Sequence, residues 1–156
     1  MNNLFKKIVC PVDFSEQSER ALIQAVAIAE QSGAELVLFR VIQPVPTSAF
    51  SDGMLFTNLN VMPDQSTDLA QKNLAVLREK FCTSILGRTS VQLATGIPFI
   101  EIAHYAREVK ADLIVMGSHG LTGIEHLMLG SVAERVVRKA PCSVLVVRDA
   151  GHPTVS

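Results

Sequence analysis

Glu35-Leu36-Val37-Leu38-Phe39-Arg40-Val41-Ile42 decides the fold. Leu36 to Phe39 is apolar without a break, so a strand here must be buried on both faces. Such strands belong to parallel sheets covered by helices on either side; an antiparallel sheet with one wet face would alternate. Upstream, Ile8-Val9-Cys10-Pro11-Val12 reads as another short strand. Pro11 cannot donate to a ladder and should mark its end. Asp13-Phe14-Ser15 then turns the chain, with Ser15 as the N-cap and Glu16 in the favourable first turn of a helix. Leu22, Ala25, Val26 and Ala29 form that helix's apolar stripe, and Gly33 should close it in the left-handed position.

Downstream the alternation continues. Gln43 to about Asp64 is a long irregular segment containing three prolines, and loops of that length are usually functional or mobile. Ala70, Leu74, Leu77, Phe81 and Ile85 stripe a long helix expected to end at Gly87. Ser90 to Thr95 is a strand and Gly96-Ile97-Pro98 a turn. Phe99, Ile102, Ala103, Ala106 and Val109 mark a helix, and Asp112 to Met116 another fully apolar strand. Ser131 to Lys139 reads as a short helix with Val132, Val136 and Val137 towards the core, and Cys142 to Val147 as the last strand. Strand and helix alternate four times before a final strand, the pattern of an α/β doubly wound parallel sheet with helices on both faces. Ligands of such folds bind beyond the carboxyl ends of the strands, where the strand order reverses. The expected site therefore lies just past each strand, at Asp13 to Ser15, Val41 to Gln43, Gly96 to Pro98 and Gly117 onward.

The 156 residues and 16.9 kDa suit one domain, expected over 1–148, with 149–156 as a flexible polar tail. At 48% hydrophobic and 19% charged residues, the chain can build a core and is not intrinsically disordered. A formal net charge of -1 gives no global pull towards nucleic acid or an anionic membrane, and 5% aromatics without Trp argue against a base-stacking platform. Cys10, Cys82 and Cys142 are far apart and lie in apolar stretches, which predicts buried thiols in a reducing compartment. Ile8 to Val12 is too short for a signal-peptide core, and no apolar run could span a membrane, so a cytoplasmic location is expected.

The chemistry concentrates in Gly117-Ser-His-Gly-Leu-Thr-Gly-Ile-Glu-His-Leu-Met-Leu-Gly130-Ser131. Gly117 and Gly120 permit positive φ and close backbone approach to a ligand. Gly130 and Ser131 open a helix whose first amides lack intrahelical partners and favour an anion, phosphate above all. Ser131-Val-Ala-Glu134 also reads as a capping box, with Ser131 accepting from the Glu134 amide. The GxxxxGK[ST], GxGxxG and GxSxG motifs are absent, which disfavours Walker-type, hydride-transfer and esterase chemistry. His119 and His126 have no acidic or cysteine partner at metal spacing, so no metal site is expected.

The spacing of Gly117, Gly120, Gly130 and Ser131 resembles the G-x2-G-x9-G-[ST] motif of nucleotide-binding universal stress proteins. The opening Ile8-Val-Cys-Pro-Val-Asp13-Phe-Ser15 and the ending Ala140-Pro-Cys-Ser-Val-Leu-Val-Val147 are similar to that family's first and last strands. The resemblance covers about residues 4–148. It implies a five-stranded sheet of order 3-2-1-4-5 that binds ATP in a cleft. By the family's pattern, Pro11 and Val12 line the base pocket, and Asp13 and the Val41 backbone hold the adenine side. Met116 and Gly117 approach the ribose and phosphates, which Gly120, Gly130, Ser131 and Val132 surround. The family often carries Arg or Lys between the first two glycines, whereas this chain has Ser118 and His119 and no Lys or Arg from Gly117 to Ser131. Triphosphate charge must then be met by backbone amides, Mg2+ or His119. The resemblance implies a ligand-gated regulator in stress response, homodimeric through its last strand, with an unnamed protein partner. A slow ATPase or a protein that phosphorylates itself is the rival expectation.

Overall fold

The computed structural model describes residues 3–44, 67–119 and 129–148. The element order is β1 (Lys7–Pro11), α1 (Glu16–Ser32), β2 (Glu35–Ile42), α2 (Thr67–Phe81), β3 (Thr89–Thr95), α3 (Pro98–Glu108), β4 (Leu113–Gly117), α4 (Ser131–Lys139) and β5 (Ser143–Val147). The five strands pair in parallel in the order β3-β2-β1-β4-β5. Strand bounds differ from the sequence expectation by one residue, and Pro11 ends β1 as expected. The Val12 amide still donates to the Phe39 carbonyl at 2.9 Å, carrying the ladder one step past the proline.

Alternation along the strands builds two cores. Ile8, Cys10, Leu36, Leu38 and Val115 face α1 and α2, where they meet Leu22, Ala25, Leu74 and Leu77. Val9, Phe39, Val41, Ile114 and Met116 face α3 and α4, where they meet Ile102, Ala106, Ala133 and Val136. Phe39 stacks on Tyr105 with ring centroids 4.4 Å apart, a geometry that adds to plain area burial.

Gly33 closes α1 at φ 71° as expected. Three expectations need correction. The stripe ending at Ile85 is not one helix: α2 stops at Phe81, and a 3-10 turn over Thr83–Arg88 carries Ile85. The Arg78 side chain holds that turn by donating to the carbonyls of Thr89 and Leu86, both at 2.8 Å. Val137 is 47% exposed, because Ala133 and Val136 already occupy the stripe of α4 that faces the sheet. Cys10 and Cys82 are buried, but Cys142 is only half-buried. The expected tail over 149–156 and the segment from 45 to 64 lie outside the described residues.

Candidate functional site

The strand order reverses between β1 and β4. From β1 the chain winds outward through β2 and β3; β4 lies on the other side of β1 and leads to β5. The carboxyl ends of β1 and β4 are thus neighbours at the one place where the connections diverge and leave a crevice.

On the β1 side, Asp13 is half-buried and sets a tight turn. Its Oδ1 accepts from the Ser15 amide at 3.0 Å and from the Ser15 hydroxyl. Its amide donates to Ser18 Oγ at 3.3 Å. Ser15 in turn caps α1, accepting from the Ser18 amide at 3.2 Å. Between them Phe14 takes φ 63°, uncommon for a side chain of that size, and the Arg40 guanidinium sits 5.4 Å from its ring centroid. Strain of this sort persists only where surrounding contacts over-determine it.

On the β4 side, Met116 is buried, Gly117 half-buried and Ser118 only 6% exposed. Gly117 does not take positive φ; among the described residues only Gly33 and Gly96 do so as glycines. Packing favours the glycine instead, since a Cβ at 117 would lie 3.1 Å from the backbone of Gln17 on α1, a tight contact that α1 would have to yield to. Gly130 is tighter still, because its Cβ would sit 2.8 Å from the Ser118 carbonyl oxygen. That carbonyl accepts from the Gly130 amide at 2.8 Å, so the start of α4 is tied to the end of β4. His119 follows, with Nδ1 3.0 Å from Ser118 Oγ.

The capping box is not formed. Gly130 is the N-cap of α4 and Ser131 its first helical residue, and the Glu134 amide donates to the Gly130 carbonyl at 2.9 Å. Ser131 is pushed one place into the helix because the Gly130–Ser118 bond fixes where the helix begins. No side chain caps α4, and the amides of Ser131, Val132 and Ala133 meet no acceptor among the described residues. They form the anion-attracting end of a helix.

Thus Pro11, Val12, Asp13, Met116, Gly117, His119, Gly130, Ser131 and Val132 gather at the ends of β1 and β4 and the start of α4. Val41 stands one strand away, buried in the core of α3 and α4, while Val12 packs towards α1 and α2. Gly120 lies outside the described residues. Sequence reasoning missed Ser118 and Gln17. Neither carries a local signal; only the fold brings Gln17 under Gly117 and buries the Ser118 hydroxyl. A separate hollow of about 400 Å3 lies at the opposite, amino end of the sheet, beside Lys6, Lys7, Lys110, Glu35 and Asp112. Its carboxylates are already engaged: Asp112 accepts from the Lys6 and Lys7 amides, and Glu35 pairs with Lys7 at 3.2 Å.

Residues 4–148 match the family described as "Universal stress protein family". This chain belongs to the universal stress protein family. It is 36% identical over 146 residues to the universal stress protein MJ0531 of Methanocaldococcus jannaschii, covering 94% of this chain and 84% of that one. Among solved structures, the hypothetical protein MJ0577 superposes with a TM-score of 0.75 at 31% identity, over 96% of this chain and 99% of that one. A universal stress protein in complex with cAMP superposes with a TM-score of 0.70 at 27% identity, over 92% and 97%. In this universal stress protein the end of β4 and the start of α4 stand together at the switch point of the sheet.

Proposed function

We propose that this universal stress protein binds ATP or a related adenine nucleotide in the crevice between β1 and β4 and acts as a ligand-gated regulator in the cytoplasm. The observation that carries the reading is the start of α4, whose first amides meet no acceptor among the described residues and which the Gly130–Ser118 bond ties to the end of β4. Exposed amides there suit phosphate. The base lies towards Pro11, Val12, Asp13 and the Val41 backbone, the ribose by Met116 and Gly117, and the phosphates by His119, Gly120, Gly130, Ser131 and Val132. The similar protein in complex with cAMP supports an adenine ligand. Mg2+ would offset triphosphate charge in a loop that has no Lys or Arg.

The rival reading, slow ATP hydrolysis or self-phosphorylation, draws support from the Ser131 side chain, exposed and unused as a cap. Acid extraction of the purified protein, with mass identification of what is released, tests the ligand. Titration calorimetry with ATP, ADP and cAMP, with and without Mg2+, ranks the nucleotides. No nucleotide in the extract and no heat with any of them would refute the proposal. Linear phosphate release at catalytic protein concentrations would favour the enzyme.

A further inference from the structure

Ser118 is held at three points. Its amide donates to the Val147 carbonyl at 3.1 Å, and its carbonyl accepts from the Gly130 amide at 2.8 Å. Its hydroxyl, in a residue only 6% exposed, lies 3.0 Å from His119 Nδ1. A buried hydroxyl requires a partner, and the imidazole is the one that the described residues provide. With both backbone groups bound, the main chain at Ser118 is anchored, and the ring nitrogen meets the hydroxyl it carries. If the hydroxyl donates, Nδ1 is the acceptor and the imidazole proton resides on Nε2. The His119 Cα lies 3.3 Å from where a Gly130 Cβ would stand, so the ring springs from backbone packed against the start of α4.

We propose that Ser118 is a positioning residue that locks His119 so that Nε2–H donates to a phosphate oxygen held at the start of α4. The site would then select phosphorylated adenine nucleotides over adenosine without a Lys or Arg between Gly117 and Ser131. This inference rests on the nucleotide reading above.

The lock can be read without ligand. At about pH 8.5, where an ordinary imidazole is neutral, nitrogen NMR of the protein should show His119 as the Nε2–H tautomer with Nδ1 shifted by its hydrogen bond. Ser118→Ala should move Nδ1 towards the solvated value, and Ser118→Thr should restore it. An Nδ1 resonance unmoved by Ser118→Ala in a folded variant overturns the lock. Calorimetry reads the consequence. Ser118→Ala and His119→Ala should each weaken ATP binding about three- to tenfold, the worth of one hydrogen bond, and leave adenosine binding unchanged. The double variant should bind ATP no more weakly than His119→Ala alone. Additive losses, or equal losses for ATP and adenosine, overturn the proposal. A wild type that binds neither ATP nor adenosine overturns the nucleotide reading, and with it the phosphate half of this one, while the imidazole spectrum still decides the lock.

Discussion

Gly130 shows how little room the site has. A methyl there would meet the Ser118 carbonyl oxygen at 2.8 Å, a backbone atom that cannot swing aside. Gly130→Ala should cost roughly 1–3 kcal/mol, the scale of overpacking, and should weaken ATP binding because the first amides of α4 move. Urea unfolding and calorimetry check the two effects. Gly87→Ala is the control, since a Cβ at Gly87 meets nothing within 4 Å. The thiols make a second prediction at this scale. Burial pushes Cys10 far above the ordinary thiol range, with Cys82 adding to it. Burial also raises Cys82 and Cys142, the latter with help from Asp112. The fold therefore favours the protonated thiols. Stability should not change on their account below the unfolded thiol pKa of about 8.5. Above it, the unfolded chain loses protons that the native one keeps, so stability falls as pH rises. Cys10→Ala should flatten that fall in urea melts recorded across the alkaline range. An identical slope would mean that Cys10 is not the protected group.

Two helices of this chain begin in opposite ways. α1 is capped by Ser15, which also ties back to Asp13, whereas α4 begins at Gly130 with no side chain of the described residues bonded to its amides. Ser15→Ala should cost about 1 kcal/mol, the usual worth of an N-cap. Ser131→Ala should change stability by less than about 0.5 kcal/mol, as expected of an exposed position outside any cap. Thermal melts of the two variants test the contrast, and a loss at Ser131 equal to that at Ser15 would restore the capping box. The open end of α4 carries the functional argument, since a capped helix would have spent the amides that a phosphate needs.

At the scale of the molecule, β5 is an edge strand. Among the described residues it pairs with β4 alone, and Leu145 at its centre is 39% exposed. An apolar edge of this kind is a template for another strand. We propose that two copies pair here about a two-fold axis, so that a residue i of one copy that meets residue j of the other is matched by j meeting i. Leu145→Lys would place like charges near one another across that axis and should shift the protein from dimer to monomer. Light scattering at micromolar concentration reads this directly. A monomeric wild type would sink the idea, as would a variant whose dimer constant is unchanged.

Local chemistry carried much of this protein. Leu36 to Phe39 announced a strand buried on both faces, and the register bears that out, with β2 paired to β1 and β3. Pro11, Ser15 and Gly33 set element ends through properties of single residues: a missing N–H, a short hydroxyl and a missing Cβ. Such features act within a few bonds and so can be read in one dimension. The glycine spacing and the two flanking strands were legible as a family likeness, and the family match agrees with it. What failed in the reading depended on distant partners. Ser-x-x-Glu at 131 to 134 has the composition of a capping box, but a hydrogen bond from Gly130 to Ser118 decides where α4 starts. Gly117 read as a place for positive φ and close approach of a ligand, whereas its tight surroundings come from Gln17, a hundred residues upstream along the chain and in contact across the fold. Val137 matched the helical period, but the sheet has room for one stripe only. The sequence alone determined the elements, because propensity and patterning are local. The tertiary structure alone decided which amides stay open, which glycines are obligatory and where the Ser118 hydroxyl goes, because those depend on backbones packed against each other across the sheet.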